Sequence, residues 1–282
     1  NGQRLAPNDH YQAVLLESAR SLASRFNPTT GCIRSWDNWG PTFPWQYPVI
    51  IDNMMNLELL FWATQATGDS TFYKVAVTHA DTTMKNHFRP DYSSYHVVDY
   101  DTISGKRIAQ QTHQGYADSS AWARGQAWGL YGYTVCYRET KDPKYLAQAD
   151  QIAAYILSRS NQTEDLIPYW DYDAPNIPNE PRDVSAATVS ASALYELSTY
   201  SADSLKYRAV ADSIINNLSK SYLVAPGTMH GFLLRSSTGH KPNGSEIDVP
   251  IVYADYYFLE ALLRKQRLEN GQPVVGGVLT RE

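Results

Sequence analysis

"SSAWARGQAWGLYGYTVCYRET", residues 119–140, runs straight into "KDPKYLAQADQIA", residues 141–153. The first stretch is apolar or small on nearly every face, the pattern of a helix buried on both sides. The second opens on a turn with an aspartate suited to a helix N-cap, then carries a tyrosine and an alanine-bearing helical run. Together they read as a hairpin: an inner helix, a tight turn, an outer helix.

The same grammar recurs along the chain. Outer-type segments are "NDHYQAVLLESA", "TGDSTFYKVAVTHA", "KDPKYLAQADQIA" and "SADSLKYRAVADSI", marked by Tyr11, Tyr73, Tyr145 and Tyr207. Inner-type segments are "DNMMNLELLFWATQAT" from Asp52, the run from Ser119, "DVSAATVSASALYELSTY" from Asp183 and "VYADYYFLEALLRKQ" from Val252. A repeat of helix pairs predicts a ring of hairpins, an α/α toroid with its chemistry where the loops before the inner helices converge. Those loops, 32–51, 90–118, 164–182 and 229–251, are long and aromatic, with short strands expected around Gly231 to Arg235. Long irregular loops in a compact domain usually carry function. The chain opens on an outer helix, about Asn8 to Arg25, with no inner partner before it. A six-hairpin ring would then lack about two hairpins, and N-terminal residues of the natural protein are expected to be absent.

Composition narrows the function classes. The 282 residues suffice for one large core, and no Pro/Ser/Gly-rich linker divides them, so a single domain over 1–282 is expected. The formal net charge is −5 and no helix face carries a basic stripe, which argues against a nucleic-acid partner. No apolar run is long enough to span a bilayer, and no signal peptide is read at the polar N-terminus, so no membrane association is expected. Cys32 and Cys136 form no metal-type pair and none of the seven histidines has metal-ligand spacing; neither a metal nor a cofactor is expected. The 21 tyrosines and 7 tryptophans exceed what a core of this size requires and suit a cleft that grips a polar ligand by its apolar faces.

Two residues stand out. Asp52, in "PVIIDNMMN", reads either as the N-cap of its helix or as a carboxyl group whose apolar neighbours raise its pKa and keep a transferable proton. Both can hold at once. Arg124 sits among apolar residues, where a charge is costly unless paired. It reads either as a partner to an acid such as Asp118 or as a planar fork for a ligand carboxylate or hydroxyl pair. Asp118, preceding "SSAW", reads as a cap. Trp122 and Trp128 are six apart and cannot share one helical stripe, so one packs while the other lines the site. His96 and His113 fall in mouth loops. Trp36, Trp39 and Trp45 crowd one loop beside Asp37, Asn38 and Gln46, a mixture typical of sugar subsites.

The segments "FNPTTGCIRSWD", "PVIIDNMMNLELLFWAT", "THQGYADSSAWARGQAWGLYGY" and "SEIDVPIVYADYYFLEAL" resemble, in order, those of the unsaturated glucuronyl hydrolases of glycoside hydrolase family 88. "WARGQAW" is the most specific of them. The resemblance implies an (α/α)6 barrel that removes the 4,5-unsaturated uronic acid from the non-reducing end of lyase-generated oligosaccharides. The reaction hydrates the vinyl ether and does not attack the anomeric carbon. By the same resemblance Asp52 falls on the proton donor and base, and Trp36, His96, Gln114, Trp122, Arg124 and Trp128 fall on substrate-contact positions. Ser236 and Lys241 fit a hydroxyl–hydroxyl–lysine pattern that holds a substrate sulfate in some members, with Gly239 in place of the middle hydroxyl. The partner implied is an unsaturated uronyl oligosaccharide of glycosaminoglycan type, met in a bacterial periplasm or cytoplasm. The family's second active-site aspartate, in an HD-x-GF-type segment, has no counterpart in this sequence. That departure leaves open a non-catalytic sugar-binding remnant. The related unsaturated rhamnogalacturonyl hydrolases, and an ordinary glycosidase with Asp118 as second carboxylate, are the other readings.

Overall fold

A computed structural model of the chain describes residues 1–37, 43–159 and 163–276. Short helix α1 (Gly2–Leu5) precedes α2 (Asp9–Ser24), and three hairpins follow: α3 (Asn53–Thr67) with α4 (Ser70–Asn86), α5 (Ala123–Thr140) with α6 (Pro143–Arg159), and α7 (Val184–Leu197) with α8 (Ser204–Ser221). Helix α9 (Val252–Glu269) ends the series. The inner helices α3, α5, α7 and α9 pack side by side in that order, and α2, α4, α6 and α8 lie outside them. This is the alternating architecture of an α/α barrel that the repeat predicts.

Polar turn residues set the outer helices. Asn8, Asp69 and Asp142 accept backbone N–H bonds from Tyr11, Thr71 and Lys144 at 2.9, 2.8 and 3.1 Å. Each such cap contributes about 1 kcal/mol. Asp203 holds the equivalent place before α8 without a side-chain cap bond. The repeated tyrosines divide into two kinds. Tyr145 on α6 donates its hydroxyl to Asp81 on α4 at 2.8 Å, and Tyr207 on α8 donates to Asp150 on α6 at 3.1 Å. Tyr11 and Tyr73 instead remain partly exposed.

The small residues of α5 have a packing reason. A Cβ on Gly132 would come within 2.9 Å of Met54 backbone atoms, and one on Gly125 would press on the Trp122 ring at 2.7 Å and Ile51 at 3.0 Å. Without side chains there, α5 approaches α3 closely. The inner helices are also joined by buried charges. Arg138 of α5 bridges Glu58 of α3 and Glu196 of α7 at 2.5 and 2.8 Å, and Arg264 of α9 reaches Glu196 at 2.9 Å.

The mouth loops carry short strands, as expected, but in a sheet whose position the sequence did not announce. Strands β3 (Pro48–Ile50), β4 (Val97–Tyr100) and β5 (Arg107–Gln111) form a three-stranded antiparallel sheet, beside the two-residue pair β1 (Phe26–Asn27) and β2 (Cys32–Ile33). The strand expected at 231–235 is reduced to one bridge between Leu223 and Leu234, and Met229–Gly231 is a single 3₁₀ turn. Among the described residues no helix is long and apolar enough to cross a membrane.

Candidate active site

Strand β3 delivers Asp52 to the start of α3. The residue occupies the N-cap position, yet its side chain makes no cap bond, so the carboxyl is left for other work. Its Oδ2 is buried with no hydrogen-bond partner among the described residues, while the side chain as a whole is 21% exposed. Burial pushes the Asp52 carboxyl up from 3.8 to about 6, against the opposing pull of the Arg124 guanidinium and the Trp128 side chain. A carboxyl poised near 6 can hold a proton at mildly acid pH and release it, which is what general acid catalysis needs.

His96 lies opposite. It follows Tyr95 into β4, and its Nδ1 accepts two backbone N–H bonds, from His113 and Gln114, both at 3.0 Å. Two donors on Nδ1 leave the ring proton on Nε2. Nε2 faces Asp52 Oδ2 at 3.7 Å, beyond hydrogen-bond reach, and is also buried without a partner. Burial first, then His113 and Arg124, hold the imidazole well below its usual range, so it is neutral. The mouth therefore presents a carboxyl and a fixed N–H donor side by side. Buried polar atoms left unsatisfied are costly, and a ligand hydroxyl set between them would remove that cost.

Arg124 is the second residue of α5. The residue is 2% exposed and its guanidinium is engaged by the protein: Nη1 donates to Asp183 Oδ2 at 2.7 Å and to the Thr238 carbonyl at 2.7 Å, and Nη2 donates to the Gly239 carbonyl at 2.6 Å. The acid that pairs with it is thus Asp183, the N-cap of α7, and not Asp118. Asp118 does not cap α5, which starts at Ala123 with Trp122 in the N-cap position; its Oδ1 accepts the Thr112 N–H at 2.7 Å and pins the turn. In the sequence Asp183 stands out only as the first residue of an inner segment. It also caps α7, its Oδ1 accepting the Ser185 N–H at 3.1 Å. Nη1 and one N–H of Nη2 are thus engaged, which holds the loop 236–249 against α5 and sets the guanidinium's charge beside the site.

Gln114 makes the same connection, donating Nε2 to the Gly239 carbonyl at 3.0 Å. Both tryptophans border the site. The Trp122 ring lies 4.6 Å from His96 and under the Arg124 guanidinium at 4.4 Å, and Trp128 packs on Tyr257 at 5.2 Å while touching the field of Asp52. Trp36 stacks on Trp45 at 5.4 Å and meets His96 edge-on at 5.9 Å, forming an aromatic wall with Phe43 and His113. Trp39 and Asn38 lie outside the described residues. Lys241 is bound to Glu180 at 3.1 Å with its ammonium over the Trp170 ring. Ser236 sits in the same loop with a left-handed backbone, φ 68°. Tyr253 of α9, its ring 5.4 Å from the Arg124 guanidinium, and His240, bonded to the His113 carbonyl at 2.9 Å, join the site without a sequence signal. A hollow of about 480 Å³ between α3 and α9, lined by Met55, Glu58, Trp62, Tyr131 and Tyr253, adjoins the site but contains neither Asp52 nor Arg124. No cluster of three or more potential metal ligands occurs among the described residues.

A scan of family models finds no match. Against curated proteins, the chain is 51% identical over 262 residues to an unsaturated glucuronyl hydrolase of Formosa agariphila, covering 93% of the chain and 65% of that protein. It is 35% identical over 269 residues to the unsaturated glucuronyl hydrolase of Bacillus sp. strain GL1, covering 92% of the chain and 69% of that protein. The chain thus spans about two thirds of the length of these relatives. A solved crystal structure of an unsaturated glucuronyl hydrolase specific for heparin superposes with a TM-score of 0.91 at 48% identity, over 97% of this chain and 73% of that one. Likeness of this extent, in sequence and in backbone together, places the chain in the unsaturated glucuronyl hydrolase family.

Proposed function

We propose that the protein hydrolyses unsaturated uronyl oligosaccharides of glycosaminoglycan type, removing the 4,5-unsaturated uronate from the non-reducing end. One observation carries the reading: an Asp52 carboxyl raised to about 6 beside a neutral His96 N–H, at the mouth of the barrel. Asp52 gives its proton to C4 of the enol ether, and positive charge develops at C5 and the ring oxygen. Water adds at C5 and returns a proton to Asp52. The hemiketal so formed opens and releases the next sugar. A vinyl ether is a weak base, so a positioned acid with a pKa near the working pH is the main requirement, typically worth ~10²- to 10⁴-fold. His96, Gln114, Trp122, Arg124, Trp128 and Trp36 would hold the uronate, Arg124 and Gln114 also fixing the loop 236–249. A substrate of this kind is the product of a polysaccharide lyase, so the protein would act downstream of one; a bacterial periplasm or cytoplasm is the compartment proposed.

The test is the ultraviolet band of the unsaturated uronate, which hydration destroys. Incubation with unsaturated glycosaminoglycan disaccharides should bleach it in the wild type and not in Asp52→Asn. Saturable binding of the sugar with an undiminished band would identify a sugar-binding protein and end the hydrolase reading.

A further inference from the structure

The segment 112–117 lies between β5 and α5 and belongs to no helix or strand. Six successive backbone N–H groups, Thr112 to Ala117, donate there to side-chain acceptors. Thr112 donates to Asp118 Oδ1, Gly115 to Thr112 Oγ1 at 2.8 Å and Ala117 to Ser120 Oγ at 3.0 Å. His113 and Gln114 donate to His96 Nδ1, and Tyr116 donates to Asp171 Oδ2 at 2.9 Å. A backbone N–H withdrawn from water must find an acceptor, so a segment without a strand partner takes its shape from where those acceptors stand.

Asp171 is the acceptor brought from furthest along the chain. It comes from the mouth loop before α7, and its backbone is bridged to Trp122 at the start of α5. The residue is wholly buried, and no cation pairs with it among the described residues. Neutral donors hold the carboxylate instead: the Tyr116 N–H and the Ser120 hydroxyl, at 2.7 Å, on Oδ2, and the Asp173 N–H at 2.9 Å on Oδ1. An ionised acceptor makes the stronger class of hydrogen bond, which suits it to hold a turn. The packing leaves that turn no slack. A Cβ on Gly115 would lie 2.6 Å from Thr112 Oγ1, 3.0 Å from the Trp122 Cβ and 3.1 Å from Asp171 Oδ2.

The consequence reaches the candidate active site through His96. A neutral imidazole carries its proton on one nitrogen, and the hydrogen bonds made by the other decide which. Two N–H donors converging on Nδ1 exclude a proton there and leave it on Nε2, facing Asp52 Oδ2 at 3.7 Å. If the turn shifted, those donors would leave Nδ1 and the ring could carry its proton there. Nε2 would then be an acceptor beside the acid, and the fixed N–H would be lost.

We propose that Asp171 is a positioning residue: by holding the turn 112–117 it keeps His96 in the Nε2–H tautomer that faces Asp52. The tautomer is a property of the folded protein, and its bearing on turnover rests on the hydrolase reading above. Proton–nitrogen correlation NMR of protein with isotopically labelled histidine rings reads the tautomer directly, the His96 signals being assigned by their loss in His96→Gln. The wild type should show Nε2 protonated and Nδ1 bare. Asp171→Ala removes the acceptor, and Gly115→Ala crowds the turn while leaving Asp171 in place. Each should bring an Nδ1–H population of His96 into view and lower kcat/KM on an unsaturated disaccharide by about ten- to a hundredfold, the scale of a small misplacement in a site. Asp171→Asn keeps an oxygen for the Tyr116 N–H and should keep the wild-type tautomer. Should Asp171→Ala fail to fold, Gly115→Ala carries the test. A His96 that stays Nε2–H in Asp171→Ala and Gly115→Ala overturns the inference even where turnover falls, because the loss is then one of packing alone. A tautomer lost as fully in Asp171→Asn as in Asp171→Ala overturns it too. A wild type that leaves the disaccharide intact, with the tautomer changes as expected, ends the hydrolase reading and leaves the role of Asp171 toward His96 standing.

Discussion

Asp52→Asn should abolish turnover and stabilise the protein, and the stabilisation should depend on pH. A rise of the carboxyl from 3.8 to about 6 corresponds to about 3 kcal/mol by which the folded chain disfavours the ionised form. Water at the mouth screens part of this, so about 1–3 kcal/mol is expected. The direction follows from proton linkage. Between the unfolded and folded values the native state binds more protons than the unfolded state, so stability falls as pH rises through that window, and the full loss is present above about 6. Asparagine keeps the shape and removes the titration. The variant should melt about 2–6 °C above the wild type at neutral pH, taking about 2 °C per kcal/mol for a chain of this size. Near the ordinary aspartate value the two melting curves should converge. Differential scanning calorimetry over a pH series, paired with the ultraviolet assay, reads both quantities. A melting difference that does not vary with pH, or an Asp52→Asn variant that still turns over, refutes the assignment of a buried, functionally poised proton to this carboxyl.

Three further expectations concern the same architecture. With Asp52 needed in its acid form, kcat/KM should fall as pH rises through about 6, and an alkaline limb with a midpoint far from that value in a rate profile would contradict the role. Arg124→Met strands the buried Asp183 carboxylate and should lower stability in urea by about 3–5 kcal/mol; adding Asp183→Asn should restore most of it, and a double variant no better than the single would show that the pair is not the cause. Gly132→Ala forces α5 away from the Met54 backbone and should destabilise by about 1–3 kcal/mol, whereas a stable variant would mean the helices have room that their spacing does not show.

The hairpins were readable because each boundary was signalled locally: a polar cap, a tight turn, and a change from an all-apolar run to one with a tyrosine and charges. The small sheet was not, since strands of three to five residues inside long loops carry too little periodicity to stand out. Asp52 was found from its apolar neighbours, and its freedom from the cap bond is a matter of side-chain geometry that no spacing reveals. The partner of Arg124 was missed for a plainer reason. Asp118 is close in sequence, but the ring brings in Asp183 from 59 residues away, on the next inner helix. The pairing of Lys241 with Glu180 depended likewise on how one loop turns back on itself, through its own bridges together with its contacts with α5.

The tyrosine on each later outer helix faces the hairpin before it, and the aspartate of that same helix faces the hairpin after it: Tyr145 binds Asp81, and Asp150, on the helix of Tyr145, binds Tyr207. The unit of α5 and α6 is therefore fitted with a plug on one side and a socket on the other. A tandem copy of such a unit arrives with matching fastenings at both edges, so the ring could have grown by duplication without new joints being invented at each step.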